Sequence, residues 1–139
     1  MSRFAKVQTA GVTSIATTGN TDEYVFAPKT GKLTASVFAS LAALAAHDTN
    51  YVTFSITNLG QAGAGSTALL AASDANTTKA TGGTALAANT KRSLTLSATA
   101  ADLNVTEGDR LLIRFAASGT LAGAVTRPLV ELTIKTVQR

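Results

Sequence analysis

Cysteine is absent from the 139 residues, which removes disulfides, thiolate zinc sites and cysteine nucleophiles from consideration. Tryptophan is absent too, and aromatic residues make up 5%, so the rings on which bases or sugars stack are scarce. Charge is thin, at 14% of residues against about 25% in an average globular protein. Alanine, threonine, glycine and serine fill the gap. A hydroxyl-rich surface carries few of the long side chains whose entropy resists burial against a neighbour. That points to a protein held in contact with other protein; a low-charge extracellular β domain is the plainer alternative. The longest apolar run, Leu41-Ala42-Ala43-Leu44-Ala45-Ala46, falls far short of the ~20 residues of a membrane span. Met1-Ser2-Arg3-Phe4-Ala5-Lys6 carries charge, but no apolar segment follows it, so no secretory leader is read. Without a secretory route, the sequons at Asn76 and Asn104 carry no weight.

A chain of this length is one domain, and it buries roughly two thirds of its unfolded surface without needing staples. The net charge is +4. The twelve basic residues are scattered, with no run longer than Lys91-Arg92. Nucleic-acid binders cluster positive charge and often interleave aromatics, so neither a nucleic acid nor a membrane is expected as partner. A modest positive field would instead steer docking onto an acidic protein surface.

What the chain does have is alternation. In Tyr51-Val52-Thr53-Phe54-Ser55-Ile56-Thr57, the large apolar residues point one way and the hydroxyls the other, the period of a strand with one buried face. Arg110-Leu111-Leu112-Ile113-Arg114-Phe115-Ala116 repeats the pattern, with Leu111, Ile113 and Phe115 inward and the two arginines outward. Val130, Leu132 and Ile134 form the buried face of a last strand over residues 129–137. Residues 24–27 and 32–38 read as a hairpin across Pro28-Lys29-Thr30-Gly31, with Leu33, Ala35 and Val37 on one face. Residues 39–46 are one helical turn or an irregular loop, and a longer helix over 35–46 is the alternative. Further strands are expected over 67–72 and 91–97, the latter with Leu94 and Leu96 inward. A turn capped by the Thr99 hydroxyl precedes Leu103 and Val105, and a glycine turn spans 106–109. Residues 60–65 and 73–89 read as surface loops, and residues 1–20 as an extended N-terminal arm that frays or lies on a partner. The resulting organisation is an arm, 1–20, and an all-β domain, 21–139. Its expected form is an antiparallel two-sheet β-sandwich, with a jelly roll as the topology and an immunoglobulin-like arrangement as the alternative.

Residues suited to chemistry are few. His47 is the single histidine and neighbours Asp48, but no nucleophile accompanies them, so it reads as a surface-turn residue. Asp102, Glu107 and Asp109 offer oxygen ligands for calcium, yet they fit no EF-hand loop and turn-capping explains them more simply. Gly60-Gln61-Ala62-Gly63-Ala64-Gly65-Ser66 lacks the lysine of a phosphate loop and no helix follows it. No enzyme, cofactor or metal is expected. Lys91, Arg92, Arg110 and Arg114 read as a shared outer sheet face, either solvated or docking.

Two stretches bring a family to mind. One runs from Asp48-Thr49-Asn50-Tyr51-Val52-Thr53-Phe54-Ser55-Ile56 to Gly60 and then Ser66-Thr67-Ala68-Leu69-Leu70-Ala71-Ala72. The other runs from Ser93-Leu94-Thr95-Leu96-Ser97 through Asp102-Leu103-Asn104-Val105 into Glu107-Gly108-Asp109-Arg110-Leu111. Together they resemble the jelly-roll decoration, or cement, proteins of tailed-bacteriophage heads, over roughly residues 30–137. The threonine- and alanine-rich 73–89 segment and the N-terminal arm depart from the commonest pattern. The resemblance implies a non-enzymatic virion protein made in the host cytoplasm and placed on the outer capsid surface. It would be a homo-oligomer, with a trimer favoured, over junctions of the major capsid protein. The residues expected to bind the partner are Arg3, Phe4 and Lys6 of the arm, and Arg110 and Arg114. The alternative is a carbohydrate-binding or host-attachment module of a phage tail or cell surface.

Overall fold

A computed structural model describes residues 2–9 and 11–137. The chain is all-β, with antiparallel sheets, one of them strongly curled. One sheet contains β1 (Ser2–Gln8), β11 (Leu129–Val137), β4 (Gly31–Ala39) and the short β7 (Arg92–Ser93), in that order, with β8 (Asn104–Val105) also paired to β4. The other contains β3 (Gly19–Phe26), β9 (Arg110–Ser118), β5 (Tyr51–Gly60) and β6 (Thr67–Ala68). A two-residue pairing of β2 (Ser14–Ile15) with β10 (Val125–Thr126) sets Ile15 and Val125 in the interior, both fully buried.

The inner faces follow from the alternation. Val52, Phe54 and Ile56 of β5, Leu111, Ile113 and Phe115 of β9, and Val130, Leu132 and Ile134 of β11 are all buried. Phe38 of the first sheet meets Phe54 and Phe115 of the second, with ring centroids 4.8 and 5.8 Å away and the planes tilted or edge-on. Such geometry lets the positive ring edge meet the negative face. The three rings tie the two sheets to one core.

Several expectations are corrected. Residues 24–27 and 32–38 form no hairpin: β3 pairs only with β9, while β4 pairs with β11, β7 and β8, so the turn after Phe26 carries the chain from one sheet to the other. In β4 the inward set is Leu33, Ser36 and Phe38. The register against β11 jumps from Ala35 opposite Thr133 to Leu33 opposite Ile134. Thr34 is therefore an extra residue, and a bulge of this kind shifts the alternation by one and turns Ala35 and Val37 outward. Of the readings of residues 39–46, the irregular loop holds and the helix does not: residues 40–50 carry only an isolated bridge from Leu44 to Leu86. Residues 2–8 do not stand apart as an arm. They pair with β11 along their whole length, from Ser2 opposite Val137 to Gln8 opposite Glu131, which satisfies a row of backbone groups that an extended arm would leave to water or a partner. The Thr99 side chain caps nothing. Ser97 instead braces the turn from outside, its Oγ accepting the Thr99 N–H at 3.2 Å and donating to Asp102 at 2.8 Å.

The 73–89 segment is irregular yet built into the body. Asn76, Thr77 and Thr78 are buried. The Asn76 side-chain amide donates to the carbonyls of Ala71 and Thr95, each at 2.8 Å, and its oxygen accepts the Thr95 N–H at 2.7 Å. Beside it, the Ala71 N–H donates to the Thr95 carbonyl and the Ser97 N–H to the Leu69 carbonyl. Segments that follow β6 in one sheet and β7 in the other are thus bonded together along one side of the molecule. On the opposite side, β1 and β3 each have one strand partner among the described residues, which leaves two long free edges.

Candidate interaction surface

The outer face of the second sheet is where exposure and chemistry coincide. Along β3 the outward residues are Asn20, Asp22, Tyr24 and Phe26. Across from them on β9, Asp22 faces Arg114, Tyr24 faces Leu112 and Phe26 faces Arg110. Tyr24 and Phe26 are 62% and 65% exposed, which is unusual for rings that bury readily. A pocket of about 430 Å³ opens there, lined by Tyr24, Val25, Phe26, Leu59, Gly63 and Arg110. Leu59 is the extra residue of a second bulge, since Asn58 lies opposite Leu111 and Gly60 opposite Arg110. Gly63 turns with φ +80°, and a Cβ there would lie 3.2 Å from the Arg110 Nη1. The glycine both permits the backbone angle and keeps that side of the guanidinium uncovered.

The two arginines of β9 differ in state. Arg114 makes a two-pronged ion pair with Asp22, Nε to Oδ1 at 2.8 Å and Nη2 to Oδ2 at 3.0 Å. That hydrogen bonding holds the Asp22 carboxyl below its ordinary range and the guanidinium above its own. Arg110 makes no hydrogen bond or ion pair among the described residues. The expected shared face with Lys91 and Arg92 is corrected. Arg92 belongs to β7 of the other sheet and turns inward, donating to the carbonyls of Thr84, Ala75 and Thr77 at 2.6–2.9 Å and lying over the Phe54 ring. Burial lowers its affinity for a proton. The loop carbonyls that trap it come from residues 75–84, which sequence spacing could not place near residue 92.

Arg3, Phe4 and Lys6 lie on β1, in the first sheet, and are exposed, Phe4 by 61%. The Lys6 ammonium sits 3.5 Å from Glu131, which also accepts a hydrogen bond from Gln8. The predicted partner-binding residues therefore fall on two different sheets. Tyr24 and Phe26 were missed as surface residues because alternation in Asp22-Glu23-Tyr24-Val25-Phe26 sorts them onto one face without saying which face is wet.

Elsewhere the polar groups are explained by structure. His47 Nδ1 accepts the N–H groups of Thr49 and Asn50, both at 3.0 Å, and Asp48 turns away to Thr81. Asp109 accepts the Thr106 N–H and the Asn58 amide, and Asp102 accepts from Ser97. Among the described residues no three such side chains cluster as a metal site, and no helix is long and apolar enough to cross a membrane. No family model, curated protein or solved structure matches this chain.

Proposed function

We propose that the chain is a jelly-roll capsid decoration protein, a non-enzymatic virion component that sits on the outer surface of a phage head over junctions of the major capsid protein. The observation that carries the reading is the pairing order. Counting β1, β3, β4, β5, β6, β7, β9 and β11 as eight strands, one sheet runs first, eighth, third, sixth and the other second, seventh, fourth, fifth. Two Greek keys rolled together would give that order, and jelly rolls recur among viral shell proteins and lectins. Since a fold hosts many functions, the surface must choose among them. Exposed rings stand on both free edges, Phe4 on β1 and Tyr24 and Phe26 on β3. The charge is low and net positive. These features suit burial against protein more than solvation. A standard contact takes about 800 Å² from each partner, about a ninth of this chain's 7147 Å². Repetition around a closed shell turns modest contacts into firm attachment.

Co-sedimentation with expanded capsids tests the reading. The protein is expected to pellet with them in a fixed ratio to the major capsid protein, and the double variant Phe4→Ser, Phe26→Ser to pellet less. Failure of the native protein to bind would end the proposal, and a mass measurement in solution checks the proposed trimer. A second reading, carbohydrate binding at a host surface, is favoured by one feature: Tyr24 and Phe26 stand side by side on an open sheet face, as stacking platforms do. Glycan-array binding that is lost with Phe26→Ser would establish it instead.

A further inference from the structure

Three features meet at the second sheet's free edge. Among the described residues the eight-residue strand β3 has a single strand partner, which leaves alternate backbone N–H and C=O groups along its outer edge without a strand to pair with. Such a row is a template for another strand. Tyr24 and Phe26 project from that strand beside a pocket of about 430 Å³. Within the pocket, Arg110 holds a charge that nothing in the described chain neutralises, whereas Arg114 on the same face is matched by Asp22. A strand laid along β3 would set its alternate side chains on the outer face about 7 Å apart, the spacing of Tyr24 and Phe26 themselves.

We propose that this site receives an extended acidic segment of a protein partner, which pairs with the edge of β3, packs apolar side chains on Tyr24 and Phe26, and places a carboxylate on the Arg110 guanidinium. Charge selects the partner's chemistry. Arg110 presents a planar donor fork suited to a carboxylate. A second copy of this chain fits poorly. Its other free edge, β1, carries two cations, Arg3 and Lys6, and no acid to offer Arg110. In a pairing of two β3 strands, the acid on the outer face of that strand, Asp22, is already held by Arg114. The inference rests on the reading that the chain binds other protein; it does not depend on which protein.

The probe is a fluorescein-labelled, end-capped octapeptide alternating valine with glutamate, compared by anisotropy with the same peptide carrying glutamine. Both peptides can add as strands, and only the first carries the charge. The glutamate peptide is expected to bind at least about tenfold more tightly, as a charge-assisted bond implies. Arg110→Gln should reduce that ratio to near unity, and Phe26→Ser should weaken both peptides. Arg110 lies on the outer face, so its replacement leaves the core intact, and circular dichroism verifies the fold. Equal binding of the two peptides, no binding of either, or full preference retained by Arg110→Gln each overturns the site. A failed peptide assay with intact capsid co-sedimentation removes this site and leaves the decoration reading standing. Peptide binding with no capsid association does the reverse.

Discussion

Replacing Asn76 by alanine removes three hydrogen bonds at once from a position that is 1% exposed. The amide of Asn76 bonds the carbonyls of Ala71 and Thr95 and the N–H of Thr95. The Thr95 carbonyl keeps a second partner, the Ala71 N–H, so two groups are left orphaned: the Ala71 carbonyl and the Thr95 N–H. Both lost bonds are only partly buried, so each orphaned group costs toward the lower half of the about 1–3 kcal/mol of a buried one, about 1.5 kcal/mol. A loss of about 3 kcal/mol is therefore expected, a large share of the roughly 5–15 kcal/mol that holds a domain together. Urea unfolding followed by circular dichroism should show a lower midpoint with an unchanged slope, and the melting temperature should fall by about 10 °C. Asn76→Asp sharpens the test. A carboxylate accepts only, and it would face two carbonyl oxygens where the amide nitrogen now sits. Folding then favours the neutral acid and raises its pKa above the unfolded value of about 3.9. The variant should be nearly as stable as Asn76→Ala or better near pH 3. It should lose stability as the pH rises through the folded pKa. A loss below about 1 kcal/mol for Asn76→Ala, or a pH-independent penalty for Asn76→Asp, would refute the claim that this side chain joins the two sheets.

Two further outcomes follow from the structure. Asp22 has its pKa lowered by the hydrogen bond from Arg114, so its contribution is present above the unfolded pKa and disappears as pH falls through the folded one. The pair is partly exposed, with 39% of the Arg114 side chain and 30% of the Asp22 side chain open to solvent. Asp22→Asn should then cost only about 0.5 kcal/mol at pH 7 and nothing near pH 2, measured by urea titration at both values. Arg127 holds φ +52° although it is not glycine and precedes a proline, which favours extended backbone. Arg127→Gly should leave stability unchanged or raise it by about 0.5 kcal/mol, and Arg127→Val should lower it by about 1 kcal/mol or more, in the same assay.

The strands read most readily from the sequence are the long ones with uninterrupted alternation. In β5, β9 and β11 the inward residues are those the pattern assigns, because a single register places every large apolar side chain on one face. β4 shows where that reasoning stops. One bulge at Thr34 inverts its downstream half, and bulges depend on the partner strand rather than on local preference. The candidate surface was half legible. Arg110 and Arg114 alternate with buried residues and so had to point outward. That one is neutralised and the other is not depends on Asp22, ninety-two residues away from Arg114. The 73–89 segment carries no periodic signal, so the burial of Asn76, Thr77 and Thr78 was invisible.

By itself the sequence determined an all-β chain: residue-to-residue alternation is local stereochemistry, and no other regular structure has period two. It also determined that disulfides and thiolate chemistry are excluded, since those require an atom the chain does not contain. Only the tertiary structure decided which sheet each strand joins, that β1 belongs to the body, that Arg92 turns inward, and that Tyr24 and Phe26 stand in the open. Those outcomes depend on pairings between residues far apart in the chain, where the backbone's hydrogen bonds are the same for any partner and the choice falls to packing of the whole.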